Sequence, residues 1–221
     1  MALTRKEEPE VKMLKWRVWL VLLLLLSACE PASQAARPEP KVTAEMVTKR
    51  MEKHLSQPEW KFTLQLPGQG RFKGVQRGTD WTLKAVQQKE TLTITKDGTA
   101  IQVVKGKNKE TMNQRQFGLL APKDHFRFIE GAAMRVKALP AQNIHETGIQ
   151  VDLNSDQVGK RLGKWMGAAF EKTGAANRAA QNFRVRYQLW YQAPDKLTRM
   201  KAQIVPLREN GKKAEMVYTF Q

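Results

Sequence analysis

Cysteine is nearly absent from this chain of 221 residues and occurs only at Cys29. A single cysteine excludes a disulfide within the chain. Histidine is scarce as well, because only His54, His125 and His145 are present, and none of them has a second ligand at metal-binding spacing. The sequence therefore predicts neither a disulfide-stabilised scaffold nor a metal site.

Catalytic motifs are missing too. The sequence has no Gly-x-Ser-x-Gly elbow, and Gly68-Gln69-Gly70 stands between two predicted strands, whereas a phosphate loop precedes a helix. Asp124 and His125 are adjacent in sequence. Neighbouring side chains of a regular element point apart, so the adjacency of these two residues favours a structural pair over an acid–base dyad. We therefore predict a protein that is not an enzyme and uses no cofactor.

The apolar runs in the sequence are short for a membrane-spanning helix, so a permanent span is the less favoured interpretation. The longest, at residues 18–26, has nine residues, whereas a membrane-spanning helix needs about 20. Lys12, Lys15 and Arg17 precede this run, and a basic region followed by an apolar one is typical of a secretory signal peptide. We predict a cleaved signal peptide at residues 1–28.

The apolar run ends in Leu26-Ser27-Ala28-Cys29. These residues resemble the bacterial lipobox, and the resemblance implies that Cys29 carries acyl chains such as palmitate, which hold the protein to the extracytoplasmic face of the cell membrane. Two other interpretations stay open: Cys29 as an incidental thiol, or the leader as an uncleaved anchor. The cysteine count favours lipidation, because an exported chain without disulfides has its one thiol where acylation requires it.

A proline-rich segment follows the lipobox. Residues 30–41 read EPASQAARPEPK, with three prolines and no apolar side chain larger than alanine. Such a segment buries too little surface to offset its ordering entropy, so we predict that 29–41 form a lipidated tether. The remaining residues, 42–221, number about 180 and fit a single domain.

The charge of the chain is strongly positive, with 38 lysines and arginines against 21 aspartates and glutamates, or +17. The first 29 residues hold five basic and three acidic residues, which leaves +15 for the rest. A surface this basic attracts anionic membrane headgroups, wall polymers or a protein partner in the envelope. The alternative is that dispersed basic side chains only solvate the surface. No nucleic-acid recognition motif is present, so we expect no nucleic acid partner.

The predicted domain begins with a helical period. Apolar residues from Val42 to Leu55 recur at helical spacing, Thr43 is placed to cap them and Pro58 ends them, so we predict a helix over 43–55. After Pro58 the period changes to two. This alternation predicts antiparallel strands near 60–65, 71–77, 81–85, 92–96 and 101–103, with a type I′ hairpin turn at Asp97-Gly98.

The second half of the domain is more mixed. Residues 117–129 are predicted to be a short helical or irregular segment, and 149–153 a further strand. Asn154 and Gln157 are spaced as a capping box before a basic amphipathic helix that we expect to extend to about residue 182. Alternation then predicts three final strands at 185–191, 197–205 and 216–220.

This order of elements, behind a lipobox and a proline-rich tether, is similar to that of the LolA/LolB/LppX-like lipoprotein-carrier superfamily. The resemblance implies an α+β fold, in which a curved antiparallel sheet forms an unclosed half β-barrel with helices packed on its concave side. It also implies a cavity between sheet and helices that binds lipid or another hydrophobic ligand. This chain differs from a soluble shuttle in being itself predicted to be lipidated.

The same resemblance implies which residues would form the ligand cavity. Large apolar residues of the alternating strands would supply its wall, and the amphipathic helix would supply its lid. Because each of these residues would serve equally well in an ordinary packed core, that interpretation stays open. The predicted cavity residues are Trp60, Phe62, Leu64, Trp81, Leu83, Leu92, Ile94, Trp165, Met166 and Phe170.

Two functional hypotheses follow. The first is a carrier or binding module for hydrophobic ligands, which requires a hollow cavity with few polar groups. The second is a non-enzymatic interaction protein with a filled core, which would use its basic surface on an anionic membrane, a wall polymer or an envelope protein. Cavity volume separates the two hypotheses, and so does the salt dependence of binding.

Overall fold

The structure is a computed structural model, and Cys29, the tether and Phe170 lie outside the residues that it describes. For Trp165 and Met166 it describes the backbone only. No helix among the described residues is long and apolar enough to span a membrane. The described ranges are 42–87, 90–140, 145–166, 181–192, 195–207 and 213–221.

The described residues form one large antiparallel sheet of eleven strands. Short hairpin turns connect most strands that are consecutive in the chain, as the alternating pattern predicts. The strands are β1 (Glu59–Leu66), β2 (Gly70–Arg77), β3 (Asp80–Gln87), β4 (Glu90–Asp97), β5 (Ala100–Lys105), β6 (Asn108–Asn113), β7 (Ala133–Leu139), β8 (Glu146–Leu153), β9 (Phe183–Gln192), β10 (Lys196–Pro206) and β11 (Ala214–Phe220).

The sheet is built from two meanders that meet at its centre. Its strand order is β6-β5-β4-β3-β2-β1-β11-β10-β9-β8-β7. The two halves join where β1 pairs with β11, which places Phe62 opposite Phe220 and Leu64 opposite Tyr218. Strands β6 and β7 are the two edges, and the described strands do not close into a barrel.

Four helices accompany the sheet in the described residues: α1 (Ala44–Ser56), α2 (Gln114–Phe117), α3 (Pro122–Ala132) and α4 (Ser155–Met166). The hydroxyl of Thr43 accepts a hydrogen bond from the amide of Met46 at 3.2 Å. The side-chain oxygen of Asn154 accepts one from the amide of Gln157 at 3.0 Å. Both predicted helix starts are therefore confirmed, because each cap satisfies an amide that the helix leaves free.

Helices α1 and α3 pack on the side of the sheet that carries Trp60, Phe62 and Leu64, which we call the inner face. The Trp60 ring lies 5.4 Å from that of His54 in α1 and 5.2 Å from that of Phe126 in α3. Since side chains alternate along a strand, the residues between them lie on the outer face. Along β1 the buried side chains therefore lie on the inner face.

Several elements differ from the sequence prediction. Strands β6 and β7 were not expected, and part of the segment predicted to be helical or irregular is the regular helix α3. The hairpin after β4 also turns one residue later than predicted. Asp97 pairs with Ala100, so Gly98 and Thr99 form the turn, and Gly98 adopts φ 57°. A glycine at the first turn position accepts this conformation without strain.

Candidate functional site: an apolar cavity on the inner face

The inner face carries a cavity of ≈ 840 Å³ that is open to solvent. Its walls come from strands β1 to β5 and from the chain that follows α2. A volume of this size falls within the range of small-ligand sites, about 300–1,000 Å³. The residues that line it are Leu66, Gly68, Gln69, Phe72, Leu83, Leu92, Ile94, Lys105, Phe117, Gly118 and Leu119.

The register of the strands brings the apolar wall together. Leu83 in β3 lies opposite Ile94 in β4, and Ile94 lies opposite Val103 in β5. Leu92, two residues before Ile94, lies opposite Lys105. Residues that are directly opposite on neighbouring strands share a face. The apolar wall therefore continues from β3 to β4, and Lys105 in β5 borders it.

A short self-capped helix forms the facing wall. The Asn113 side chain accepts a hydrogen bond from the amide of Gln116 at 3.0 Å, and the Gln116 side chain accepts one from the amide of Asn113 at 2.9 Å. Gly118 ends α2 at φ 73°, and its amide donates to the carbonyl of Gln114 at 2.9 Å. A left-handed residue after a helix favours glycine. These bonds hold Phe117 and Gly118 at the cavity.

The core beside the cavity is filled. Leu119, Leu120 and Ala121 cover Phe62, Leu64, Trp81 and Tyr218, and the space that these residues enclose does not admit a water molecule. The Phe117 ring packs on Trp81 at 5.7 Å between ring centroids. The inner face therefore has a packed centre near β1 and β11 and a hollow toward β4 and β5.

A buried polar network ties α3 to the sheet. Tyr218 donates its hydroxyl hydrogen to the carbonyl of Leu120 at 2.7 Å, so it accepts from Nε2 of His125 at 3.1 Å. Nδ1 of His125 then accepts from the Tyr187 hydroxyl at 2.8 Å. Burial lowers the pKa of His125 to about 3 and raises the pKa of Tyr187 and of Tyr218. All three groups are thus neutral and hydrogen-bonded at neutral pH.

The pair Asp124 and His125, adjacent in sequence, does not form a dyad. The Asp124 carboxylate accepts from the amide of Ala121 at 3.1 Å and from Arg127 at 3.2 Å, while His125 bonds the two tyrosines. Among the described residues there is also no group of three or more His, Cys, Asp or Glu side chains that would hold a metal ion. Asp124 and His125 thus each have structural partners of their own.

The outer face of the first meander is basic. Lys73 in β2 lies directly opposite Lys84 in β3, and neither forms a salt bridge with a described carboxylate, whereas Lys61 and Arg77 both pair with Glu59. Like charges that face each other across two strands are destabilising. All four basic residues border a groove of ≈ 700 Å³.

The predicted cavity residues fall into three groups. Leu83, Leu92 and Ile94 line the open cavity. Phe62, Leu64 and Trp81 lie in the filled core beside it, and Trp60 packs between His54, Phe126 and Phe220. For the predicted lid residues Trp165, Met166 and Phe170, the side chains are outside the described part of the chain.

None of the residues of the facing wall was predicted to line the cavity, nor were Leu66, Phe72 and Lys105. Phe72 follows the same alternation as the predicted residues and was detectable from it. Leu66 and Lys105 end their strands, and Phe117 and Leu119 lie outside any strand. The position of these residues at the cavity depends on strand register and on the turn at Gly118, so no local sequence pattern predicts it.

Comparisons with known proteins give distant structural similarity only. No protein-family profile matches the chain, and no curated protein does. The chain is similar to the crystal structure of lipoprotein LppX from Mycobacterium tuberculosis at 9% identity and TM-score 0.49, covering 80% of this chain and 93% of that one. For LprF from Mycobacterium bovis the identity is 8% and the TM-score 0.47, and the match covers 80% of this chain and 90% of that one. For a LolA superfamily protein from Nitrosomonas europaea the identity is 9% and the TM-score 0.32, and the match covers 81% of this chain and 92% of that one.

Proposed function

We propose that this chain is a membrane-anchored extracytoplasmic lipoprotein that binds or transfers lipid or another hydrophobic ligand. The observation that carries the proposal is the open cavity of ≈ 840 Å³ on the inner face. Soluble domains normally fill such a space with side chains, as this chain does beside it under Leu119 to Ala121. A hollow of this size next to a filled core is therefore suited to a ligand, as the predicted half-barrel requires.

The large side chains of the walls favour an aliphatic ligand. Seven of the lining residues are large and apolar, and they lie on the four strands β1 to β4, at the end of α2 and on the segment after it. An acyl chain has no hydrogen-bonding groups, so it loses nothing on leaving water for such walls. Each buried methylene contributes about 0.8 kcal/mol. Affinity should therefore rise with chain length until the cavity is full.

A chain-length series tests this proposal. The unacylated full chain, carrying Cys29→Ser, is titrated with fatty acids from octanoate to hexadecanoate, each below its micellar concentration. We expect affinity to increase about fourfold per added methylene and then to level off. Native mass spectrometry should show one ligand per chain. A bare mass with every acid, and no heat of binding, would overturn the carrier proposal.

A matched pair of variants locates the binding. Leu92→Trp fills the cavity from its wall, whereas Thr93→Trp places the same ring one residue along, on the outer face. We expect Leu92→Trp to weaken binding of the longest acids by about tenfold or more, and Thr93→Trp to leave it unchanged. Equal effects of the two variants would place the ligand elsewhere.

The second candidate function is binding of an anionic surface by the outer face. Lys73 and Lys84 favour it, because they are directly opposed and form no salt bridge with a described carboxylate, so that an anion between them would relieve their repulsion. Lys73→Gln/Lys84→Gln should reduce binding to vesicles of anionic phospholipid, and more salt should weaken it further. Lys49→Gln/Lys160→Gln removes the same charge from the exposed faces of α1 and α4. Equal binding by both double variants would reject a specific surface.

A further inference from the structure

The apolar cavity has a single charged residue among its described lining residues, Lys105. Every other large side chain that lines it is apolar except Gln69. A cation in an otherwise apolar wall carries a desolvation cost unless its charge stays at the rim or meets an opposite charge. The position of Lys105 therefore bears on which ligands the cavity accepts.

Lys105 ends β5 on the same face as the apolar wall. It lies directly opposite Leu92, and its side chain is half-buried. A lysine stem of four methylenes can lie along apolar surface while the ammonium stays near water. This arrangement places a positive charge at the edge of the hollow, where the polar end of an amphiphile would be located once its tail is inside.

No described carboxylate neutralises this ammonium. Lys105 takes part in none of the salt bridges of the described residues. Two acidic residues share its face on the neighbouring strands: Glu90 in β4, whose carboxylate lies beside Gly106, and Glu110 in β6, which lies opposite Val103. Neither is within salt-bridge distance of Lys105. The charge of Lys105 is thus available to a ligand.

We infer that the cavity selects amphiphiles with one anionic headgroup, a carboxylate or a phosphate, that pairs with Lys105 while the aliphatic tail fills the hollow. This inference rests on the proposed carrier function and adds headgroup selectivity to it. The ion pair forms at the rim, where water screens it, so its effect on affinity is moderate. Selectivity arises mainly between headgroups of opposite charge, since a cationic headgroup would meet Lys105 at close range.

The test compares three ligands with one tail on the unacylated full chain: dodecanoate, dodecanol and dodecyltrimethylammonium. We expect dodecanoate to bind about three- to tenfold more tightly than dodecanol, and dodecyltrimethylammonium to bind most weakly. Lys105→Met should make dodecanoate and dodecanol equal, and Lys105→Glu should reverse the order of the charged ligands. Dodecyl phosphate in place of dodecanoate separates the two anionic headgroups.

Lys109→Met is the matched control, because Lys109 is exposed on the neighbouring strand β6. It should preserve the ligand order, and thermal melts of all variants should coincide with that of the parent chain. If the three ligands bind equally and Lys105→Met changes nothing, headgroup pairing is overturned and the carrier function stands. If none of the three ligands binds, the carrier function itself fails.

Discussion

The ring of Phe62 lies over Gly74, its direct partner on the neighbouring strand. A Cβ on Gly74 would overlap with Cζ of Phe62 and lie 2.8 Å from a methyl carbon of Leu83. Backbone conformation does not require a glycine here. The absence of a side chain does, because the phenyl ring occupies the space that any Cβ would fill. The packing of Phe62 in the filled part of the core therefore requires a residue without a side chain at position 74.

Gly74→Ala should destabilise the protein by about 1–3 kcal/mol, because overpacking forces Phe62 or the strand to shift. Urea unfolding measures the loss. Phe62→Leu in the Gly74→Ala background should recover part of it, since the two sites are in contact and their effects are not additive. Val75→Ala on the outer face is the control, with an expected loss below about 1 kcal/mol. A fully additive double variant would contradict the packing described here.

The buried histidines should respond in opposite ways to replacement by phenylalanine. His125→Phe leaves the hydroxyl of Tyr187 without its acceptor, so we expect a loss of at least about 2 kcal/mol. The ring nitrogens of His54 have no hydrogen-bond partner among the described residues, and its ring packs against Trp60, Phe126 and Tyr191. His54→Phe should therefore be neutral or stabilising. If His54→Phe and His125→Phe lower the calorimetric melting temperature equally, this prediction is wrong.

Stability should fall on acidification below about pH 6.5. Burial lowers the pKa of His54 to about 4 and that of His125 to about 3. Above pH 6.5 both imidazoles are neutral in the folded and the unfolded chain. Below it the unfolded chain binds more protons, so stability decreases until the folded values are reached, on the order of several kcal/mol in total. Urea midpoints from pH 7 to pH 3 measure the decrease, and His54→Phe should reduce its slope.

Cys29→Ser should abolish acylation and release the protein from the membrane fraction. Only a thiol at this position accepts the lipid that the lipobox implies, and the chain has no other cysteine. Growth with labelled palmitate followed by fractionation measures both effects. Ser33→Ala, within the tether, is the control and should keep the label. Label on the Cys29→Ser chain would rule out the anchor.

Much of the sheet follows directly from the alternation of apolar residues. β1, β3 and β9 carry apolar side chains at every second position, and each was predicted near its observed place. β6 escaped prediction because Met112 is its only apolar residue, as suits a polar edge strand. β7 begins with a register shift between Ala133 and Arg135, which breaks the period of two.

The candidate site was only partly predictable for a related reason. Alternation assigns Leu83, Leu92 and Ile94 to the inner face, and this assignment needs only the local sequence pattern. Whether a residue lines a hollow or fills a core depends on what lies opposite. Phe62 and Trp81 have the same pattern as Leu83, yet residues 119–121 cover them. Lys105 lies on the cavity because of its pairing with Leu92, which is a tertiary relationship.

The pairing of β1 with β11 also bears on how the molecule is made. Ribosomes deliver the chain from its amino end, so the hairpins of β1 to β6 can form early, each from neighbouring residues. The centre of the sheet cannot, because the strand that pairs there with β1 is β11, Ala214–Phe220, the last strand in chain order. Until that strand arrives, β1 has a bare edge, and Tyr218 is not available to His125. All of the strands must therefore be available before the two halves of the core can join, so the centre of the sheet depends on the contact that is most distant in sequence.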